Sequence, residues 1–252
     1  MTFLDLTLPT PAENLAGDEA LLDWCEENGG IGVLRFWEPE NYFAVVGYGN
    51  QVATEVNVAA CEADKIPILR RCSGGGTVLQ GPGCLNYSLI LKIEENGLLA
   101  SITAANRFIM ERNREAIQGE CRMQNAECRI EIRGCTDLAL VTRHSSLVTA
   151  LKFSGNAQRR KKQFLLFHGT YLLNFDLPLI DKFLRMPSKE PDYREGRAHK
   201  AFLTNLDLRA EAVKRALREA WGAMEPLEVI PSDAIASLAR DKYVTKEWNF
   251  KF

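Results

Sequence analysis

The sequence predicts an α+β fold in which a mixed, largely antiparallel sheet is flanked by helices. Three observations lead to this prediction. Short runs with strand character alternate with helical runs along all 252 residues, which is the pattern of a domain built from helices packed on a sheet. The hydrophobic fraction of 46% supplies a substantial core. Because no repeat, low-complexity tract or linker divides the chain, we expect residues 1–252 to form a single domain.

The N-terminal elements follow from apolar spacing and from turn residues. A helix is expected from Pro11 to the glycine pair at 29–30, because apolar residues recur near one face. Strand-like runs bounded by Gly, Pro and Asn predict strands at 32–37 and 42–48, a helix at 57–65, and strands at 68–71, 77–80 and 85–93.

The C-terminal elements are predicted in the same way. Apolar residues at helical spacing indicate a helix over residues 100–118. The further elements are strands at 129–132, 138–141, 147–153 and 164–174, and helices at 178–184, 211–221 and 232–242. Residues 186–203 are polar and contain two prolines, so we expect a mobile loop there.

Charge and hydropathy exclude several classes of protein. Lys and Arg total 31 against 33 for Asp and Glu, a net charge of −2, which argues against a strongly basic nucleic-acid binder. No apolar run reaches the roughly 18–20 residues of a membrane-spanning helix, and the N-terminus lacks the basic start of a signal peptide. We therefore expect a cytoplasmic protein that binds neither nucleic acid nor membrane.

Cysteine and histidine usage disfavours two further kinds of site. The seven cysteines form no C-x-x-C pair, so neither a disulfide framework nor a zinc site is indicated. With three histidines, a histidine-rich metal site is also disfavoured. We expect most of the thiols to be small buried apolar groups.

The first candidate functional motif is a glycine cluster between two strands, with the sequence Arg70-Arg71-Cys72-Ser73-Gly74-Gly75-Gly76-Thr77-Val78. Three glycines let the backbone approach a ligand closely and present N–H groups to it. The two arginines suit a carboxylate or a phosphate. The alternative is a flexible hairpin loop with solvated arginines. It is not a P-loop, because no Gly-Lys-Ser/Thr follows.

Two further motifs lie in the second half of the chain. Lys152 closes a strand before Ser154-Gly155, where an ammonium group could stabilise a developing negative charge; the alternative is a surface lysine. His168-Gly169-Thr170 lies within an apolar strand. A lone histidine in a strand is more often a structural side chain than a catalytic one.

Taken together, the three motifs resemble those of the lipoate–protein ligase A family, R-R-x-S-G-G-G-x-V, K-x-S-G-x-A and H-G-T-L-L, in order. Weaker similarities occur around Glu19 and at residues 46–51, 134–138, 203–206 and 247–250. The resemblance therefore covers the chain from about residue 14 to residue 250.

The resemblance implies a biotin/lipoate ligase fold, related to class II aminoacyl-tRNA synthetases. It implies that ATP and Mg²⁺ activate lipoate, or octanoate, to an acyl-AMP. The acyl group would then pass to a lysine of a lipoyl domain, in an E2 subunit or a glycine-cleavage H-type protein. The basic run at residues 159–162 would hold this acidic partner.

The resemblance also assigns site residues. Lys152 would bridge the adenylate phosphate and the acyl carbonyl, and Asp137 would position Lys152 or the Mg²⁺ ion. The ATP and lipoate site would be lined by Arg70, Arg71, Ser73, Gly74, Gly75, Gly76, Thr77, Val78, Leu79, Asn86, Gly155, Gln158, His168, Gly169 and Thr170. Residues 186–203 would order over the adenylate.

Four departures from the ligase pattern keep alternatives open. Gln80 begins a Gln-Gly-Pro-Gly run where ligases have a His-Asp pair, and this run resembles octanoyltransferases. Thr136 replaces an asparagine, and Gln158 stands where ligases have a Tyr-Arg pair. The chain ends at Phe252, so we expect the C-terminal accessory domain to be absent or supplied by a separate protein.

The main alternative is an octanoyl or lipoyl transferase that holds the acyl group as a cysteine thioester. Cys128 and Cys135 are the candidates, because they lie just ahead of the Asp137 strand, roughly where the resemblance places the cysteine of cysteine-dependent family members. Arg129 and Arg133 are adjacent, and nearby cationic groups lower the pKa of a reactive thiol. A biotin ligase is disfavoured because the G-R-G-R-x-G loop is missing. A non-catalytic lipoyl-binding homologue is the third alternative, against which the retained Lys152 and Asp137 count. The sequence favours the ligase.

Overall fold

The computed structural model describes residues 1–124, 128–144 and 147–252. Within these ranges the strands are β1 (Thr2–Asp5), β2 (Val33–Trp37), β3 (Phe43–Val46), β4 (Ile68–Arg70), β5 (Val78–Gln80), β6 (Cys84–Lys92), β7 (Ile130–Arg133), β8 (Asp137–His144), β9 (Leu147–Arg160), β10 (Phe164–Leu172) and β11 (Glu225–Pro226). The α-helices are α1 (Pro11–Asn28), α2 (Val52–Glu55), α3 (Val58–Ala63), α4 (Ile102–Met123), α5 (Pro178–Phe183), α6 (His199–Phe202), α7 (Ala210–Trp221), α8 (Ser232–Leu238) and α9 (Lys246–Asn249).

The strands form two sheets. The larger has eight strands in the order β11-β1-β2-β6-β10-β9-β8-β7, and the smaller has the order β4-β3-β5. In the larger sheet β1 pairs in parallel with β2 and β11, while the pairs from β2 to β7 are antiparallel. A mixed, largely antiparallel sheet flanked by helices is therefore confirmed.

Helices cover the larger sheet and explain where the core lies. The long helix α4 and helix α7 pack together against the sheet, and their apolar side chains join those of β6 and β10 in the largest core cluster. Helix α1 contacts β6 and β10 and also contacts α8. Because α1 is enclosed in this way, it carries the polar side chains of Asn14, Asp18 and Glu19 into the interior.

Local signals set the ends of α1 as expected. Thr10 caps its N-terminus, and Glu13 completes a capping box by accepting from the Thr10 backbone. At the other end Gly29 has a φ of 65°, a left-handed conformation that glycine adopts without steric cost. The predicted helix between Pro11 and the glycine pair is thus confirmed.

The structure differs from the sequence-based elements in several places. Strand β9 extends to Arg160, so Ser154 and Gly155 lie within a strand and not in a turn. Its extension is stabilised by pairing with β10 on one side and β8 on the other. Elements β1, β11, α2 and α9 were not predicted. The segment predicted as a loop at 186–203 contains helix α6 and a short 3₁₀ turn at Asp192–Arg194.

Among the residues that the structure describes, no helix has the length and apolar character needed to cross a membrane.

Candidate active site

A cavity of about 420 Å³ lies on one face of the larger sheet. Two rows of side chains that stand in register across neighbouring strands belong to this face. The first row, from β2 to β8, is Trp37, Asn86, Thr170, Gly155 and Asp137. The second row, from β2 to β9, is Arg35, Ser88, His168 and Ala157. The remaining walls of the cavity are formed by helix α1, by residues 187–194 and by the loop at residues 71–77, called the glycine loop below.

The structure brings most of the predicted site residues to this cavity. Those that line it are Arg71, Gly75, Gly76, Thr77, Val78, Asn86, Asp137, Lys152, Gly155, His168, Gly169 and Thr170. Leu79 lines a second, smaller cavity of about 120 Å³, which shares Lys152 and Gly155 with the first. Arg70, Ser73, Gly74 and Gln158 do not line either cavity.

Lys152 and Asp137 form an ion pair at the polar end of the cavity. The Lys152 Nζ lies 2.8 Å from the Asp137 Oδ1. The second carboxylate oxygen, Oδ2, accepts a hydrogen bond of 2.9 Å from the Tyr193 hydroxyl. Burial and the nearby Asp137 carboxylate raise the pKa of Tyr193 above its usual range, so this hydroxyl remains a donor. Asp137 thus fixes the Lys152 ammonium group, and Tyr193 in turn fixes the Asp137 carboxylate.

A β-bulge in β9 places Lys152 over the cavity. Leu138 pairs with Ser154, but the next residue of β8, Ala139, pairs with Lys152, so Phe153 is an extra residue in β9. A bulge changes which side chains share a face of the strand. Phe153 is therefore fully buried in the core, while Lys152 and Gly155 lie on the cavity face.

Gly155 leaves room for the lysine. A Cβ atom at this position would lie 2.7 Å from the Lys152 Nζ and 2.8 Å from its Cε. Any other residue at position 155 would therefore displace the ammonium group. The glycine of the K-x-S-G motif is thus required by the close approach of the lysine side chain.

Arg71 organises the glycine loop from inside. Its guanidinium donates to the carbonyls of Gly74 and Gly76, with distances of 2.7 Å from Nη2 to each oxygen, and to the Ser73 hydroxyl. Burial lowers the pKa of Arg71 to about 10, which leaves the group charged at neutral pH. These bonds fix the loop conformation at the edge of the cavity.

Arg70 has a different role from the one that its motif predicted. It is fully buried and donates to the carbonyls of Gly47, Tyr48, Asn50 and, from the C-terminal segment, Trp248 and Asn249. Its guanidinium therefore ties the C-terminal segment to the 47–50 loop and is not available to a ligand in the cavity.

A buried polar chain supports the other wall of the cavity. Asp18 on α1 pairs with Arg35 at 2.6 Å, and its second oxygen lies 3.2 Å from the His168 Nδ1. The other ring nitrogen, Nε2, lies 2.6 Å from the Ser73 hydroxyl. With Asp18 ionised, Nδ1 donates to it, and in the neutral ring Nε2 then accepts from the Ser73 hydroxyl. The chain connects α1 and β10 to the start of the glycine loop.

Three amide and hydroxyl side chains form a closed ring on the cavity floor. Gln80 donates to the Thr170 hydroxyl at 2.7 Å, Thr170 donates to the Asn86 Oδ1 at 2.6 Å, and Asn86 donates to the Gln80 Oε1 at 3.0 Å. Gln80 was noted in the sequence only as a departure from the ligase pattern. Its place in this ring shows that it supports Asn86 and Thr170.

Asn156 fixes the turn that connects β7 to β8. Its side-chain amide donates to the Thr136 carbonyl, and the Thr136 hydroxyl donates to the Asn156 carbonyl, each at 2.8 Å. Tyr87 donates to the Asn156 Oδ1 at 2.7 Å. This turn carries Cys135, so Asn156 determines where that thiol lies.

The two candidate cysteines lie in different surroundings. Cys135 is exposed and lines the cavity together with Asp137 and Lys152. Cys128 is half-buried beside α4, where Gln118 donates to its carbonyl at 2.6 Å, and it does not line the cavity. The five remaining cysteines are buried, and burial raises the pKa of Cys72 and Cys84 to about 12. Cys135 is thus the thiol within reach of a cavity ligand.

Asp137, the predicted magnesium ligand, is engaged by other side chains in this structure. One of its oxygens pairs with Lys152, and the other accepts from Tyr193. Among the described residues, no three His, Cys, Asp or Glu side chains cluster as metal ligands. Protein-bound Mg²⁺ is usually held by one or two carboxylates together with substrate phosphates, so a role of Asp137 as a magnesium ligand stays a prediction.

Sequence reasoning missed four residues that shape the site, namely Asp18, Gln80, Asn156 and Tyr193. A signal existed for Asp18, because Asn14 and Asp18 stand one helical turn apart within an apolar stripe. No signal existed for Tyr193, which meets Asp137 across 56 residues of chain.

Comparison with known proteins identifies relatives of this chain. The profile of the lipoyl protein ligase A/B catalytic domain matches residues 10–220. The octanoyltransferase LipM of Bacillus subtilis is 30% identical over 99% of this chain and 97% of its own length. The probable lipoate-protein ligase A of Mycoplasma genitalium is 29% identical over 95% of this chain and 69% of its own length.

A solved structure extends the similarity to the fold. The bi-partite lipoate protein ligase of Thermoplasma acidophilum aligns over 99% of this chain and 96% of its own, with a TM-score of 0.73 and 23% identity. The family profile, which covers most of the chain, places this protein in the lipoyl protein ligase A/B catalytic-domain family.

Proposed function

We propose that the protein is an acyl transferase that moves an octanoyl or lipoyl group from a thioester donor to a lysine of a lipoyl domain, through a thioester on Cys135. The observation that carries this proposal is the position of Cys135, exposed at the cavity and beside Lys152 and Asp137 among its lining residues. The full-length similarity to octanoyltransferases supports it, in preference to the ligase that the sequence favoured.

The cavity suits an eight-carbon acyl chain. Its walls include the apolar side chains of Leu15, Trp37, Val45 and Val78, and its polar end holds Lys152. A volume of about 420 Å³ lies within the range of small-molecule pockets. The chain would lie along the apolar wall, with its carbonyl carbon near Cys135 and Lys152.

The reaction then needs two balanced steps. In the first, the Cys135 sulfur attacks the donor carbonyl, a new C–S bond forms, and the donor thiol leaves with the proton from Cys135. In the second, the neutral amine of the acceptor lysine attacks the acyl-cysteine. The C–N bond forms, the C–S bond breaks, and a proton from the amine returns to the Cys135 sulfur.

Lys152 stabilises the charge that develops in both steps. Each attack places negative charge on the carbonyl oxygen, and a fixed ammonium group beside that oxygen lowers the barrier. Asp137 holds the ammonium group at 2.8 Å, so little reorganisation is needed during the reaction. This role does not depend on a metal ion.

ATP-dependent activation of lipoate is the second candidate function. It is favoured by the second cavity, which adjoins the first and shares Lys152, so that one lysine could meet an acyl group on one side and an adenylate on the other. The similarity to a probable lipoate-protein ligase A supports it. ATP, lipoyl-AMP and a role of Mg²⁺ stay predictions.

The donor decides between the two candidates. The purified protein is incubated with octanoyl carrier protein and a lipoyl domain, or with lipoate, ATP and Mg²⁺. We expect transfer from the carrier protein, a covalent octanoyl adduct detected by intact mass, and no pyrophosphate release. Pyrophosphate release with bound lipoyl-AMP would favour the ligase.

Replacing Cys135 tests the thioester. Cys135→Ser should lose the hydroxylamine-sensitive adduct and acyl transfer, because an oxyester on serine is much less reactive than a thioester. Cys128→Ser is the matched control and should keep both. If Cys135→Ser still transfers octanoate at the rate of the wild type, the cysteine mechanism is wrong.

Gly155→Ala tests the placement of Lys152. The added methyl group must displace the ammonium group, and a misplacement of about 1 Å can cost up to about 100-fold in rate. We expect at least a tenfold lower kcat at nearly unchanged thermal stability. Gly119→Ala is the control, because nothing lies within 4 Å of its added Cβ. Equal kcat values for the two variants would contradict this account.

The acceptor is proposed to be a lipoyl domain, of an E2 subunit or an H-type protein. The basic run at residues 159–162 was expected to hold this partner, but most of its side chains form hydrogen bonds or ion pairs with other residues of the same chain. Arg159 and Arg160 donate to the carbonyls of Cys72 and Leu99 at 2.8 Å each, and Lys161 pairs with Asp23. We therefore place the docking surface at the cavity mouth near Cys135. A separate accessory protein and a single-domain arrangement of residues 1–252 stay predictions.

A further inference from the structure

Tyr193 does not line the cavity but forms a hydrogen bond with Asp137, which does. Its hydroxyl donates to the Asp137 Oδ2 at 2.9 Å, opposite the oxygen that holds Lys152. Its neighbours Pro191 and Arg194 line the cavity, but Tyr193 does not. Its hydrogen bond to Asp137 is therefore the direct contact between this residue and the Lys152–Asp137 pair.

We propose that Tyr193 is a positioning residue, which fixes the Asp137 carboxylate so that Asp137 aims Lys152 into the cavity. Tyr193 thereby links the seating of residues 187–203 to acyl transfer. The kinetic part of this inference rests on the proposed function, whereas the position of Lys152 can be measured without it.

The hydroxyl of Tyr193 is aimed by contacts that do not involve Asp137. The ring packs on Phe202 of α6, with 5.1 Å between ring centroids and 44° between ring planes. Arg197 donates to the Tyr193 carbonyl at 2.7 Å, and the guanidinium of the same arginine donates to the Ala150 carbonyl of β9 at 3.1 Å. The tyrosine is therefore held at both its ring and its backbone.

The second hydrogen bond matters because a carboxylate is easily rotated. The terminal torsion of aspartate has a broad energy well, so an Asp137 bonded to Lys152 alone could turn together with the flexible lysine. Hydrogen bonds to an ionised carboxylate are stronger than neutral ones. With Tyr193 on Oδ2, the carboxylate plane is fixed, and so is the point at which Oδ1 holds the ammonium group.

The segment that carries Tyr193 is anchored at several other points. Glu55 of α2 accepts from the backbone and the hydroxyl of Ser188, and Thr204 donates to the Lys152 carbonyl at 2.9 Å. When the segment is seated, Tyr193 completes the Asp137 contact. If the segment lifts, the contact is lost while the Lys152–Asp137 pair remains without its second support.

The test measures the reactivity of the Lys152 amine. The whole protein is acetylated at low conversion with an N-hydroxysuccinimide ester, and peptide mass spectrometry gives the rate at Lys152 relative to the exposed Lys246. In Tyr193→Phe, we expect at least a threefold faster reaction of Lys152, because the loosened carboxylate no longer restrains it. The same rate as in the wild type would overturn the proposal.

Tyr171→Phe is the matched control. It also removes a tyrosine hydroxyl, but the Tyr171 hydroxyl is buried and has no hydrogen-bond partner among the described residues. The reactivity of Lys152 should stay within twofold of the wild type.

A double-mutant cycle isolates the path through Asp137. Contacting residues show coupling, whereas independent effects add. In an Asp137→Ala background, Tyr193→Phe should produce no further change in the reactivity of Lys152. An additional change as large as in the wild-type background would overturn the proposal, because Tyr193 would then act by another route.

Steady-state kinetics distinguish a positioning role of Tyr193 from a role in stability alone, because only a positioning role should lower kcat without changing KM. Tyr193→Phe should lower the kcat of acyl transfer about tenfold, consistent with a small misplacement of a catalytic group, with the KM for octanoyl carrier protein unchanged. A higher KM at unchanged kcat would overturn the proposal. If the wild type transfers no acyl group from any donor, the proposed function fails, while the reactivity of Lys152 still decides the role of Tyr193.

Discussion

Lys152→Met should lower the kcat of acyl transfer by about 10²–10³-fold, the usual cost of removing one preorganised group that stabilises an oxyanion. Methionine keeps most of the length and apolar character of the lysine stem, so the cavity wall is retained. The KM for the acyl donor should change less, because the charge is needed mainly in the transition state. Steady-state transfer of octanoate to a lipoyl domain, followed by mass spectrometry, measures this effect.

Lys182→Met is the matched control for this variant. Lys182 also forms an ion pair with an aspartate, Asp64, but it is half exposed and does not line the cavity. Its kcat should equal that of the wild type. Retention of more than a third of the wild-type kcat by Lys152→Met would show that the ammonium group does not stabilise the reaction, for a thioester or for an adenylate.

Asp18→Asn should destabilise the fold by about 3–5 kcal/mol, the cost of leaving the partner of a buried ion pair without its counter-charge. The side chains of Asp18 and Arg35 are 3% and 1% exposed, so water cannot replace the lost charge. For a chain of this length the midpoint of thermal unfolding should fall by roughly 6–20 °C. Calorimetry or circular dichroism measures the change.

The matched control is Asp241→Asn. Asp241 pairs with Arg240 at 2.8 Å, but both side chains are more than 60% exposed, and no change in the midpoint is expected. Equal midpoints for Asp18→Asn and the wild type would mean that the buried pair is not needed for stability.

The same pair predicts a pH effect. Burial opposes ionisation of Asp18, but Arg35 and His168 outweigh it and hold the pKa of Asp18 below its usual range. A carboxyl with a lowered folded-state pKa contributes stability above its unfolded pKa of about 4. That contribution is lost as the pH falls through the lowered value. Asp18→Asn should lack this acid-dependent loss.

The sequence predicted the elements whose signals are local. Helix α1 has its cap, its apolar stripe and its terminal glycine within 20 residues, so each signal points to the same helix. Strand β1 has only four residues, and its parallel pairing with β2 is a contact between distant parts of the chain. No local pattern encodes such a contact. The extent of β9 was missed because its glycine and serine suggest a turn.

The sequence identified many residues of the site, but it did not predict which of them contact one another. Ser73 and His168 were both assigned to the site, yet the hydrogen bond between them joins residues 95 apart. Sequence could not separate Cys128 from Cys135, because each has an arginine nearby. The structure separates them, since Cys135 lies in an exposed turn and Cys128 faces α4. The ligand roles of the lining residues stay predictions.

The extra residue in β9 makes the position of the charge depend on strand pairing as well as on sequence. Phe153 offsets the strand by one position, and side chains alternate between faces with a period of two. Lys152 and Gly155 are three residues apart, so a regular ladder with the same sequence would place them on opposite faces. The bulge therefore brings the ammonium group to the face that carries Gly155 and Asp137. If β9 paired without the bulge, every chemical group would still be present, but the charge would lie outside the cavity.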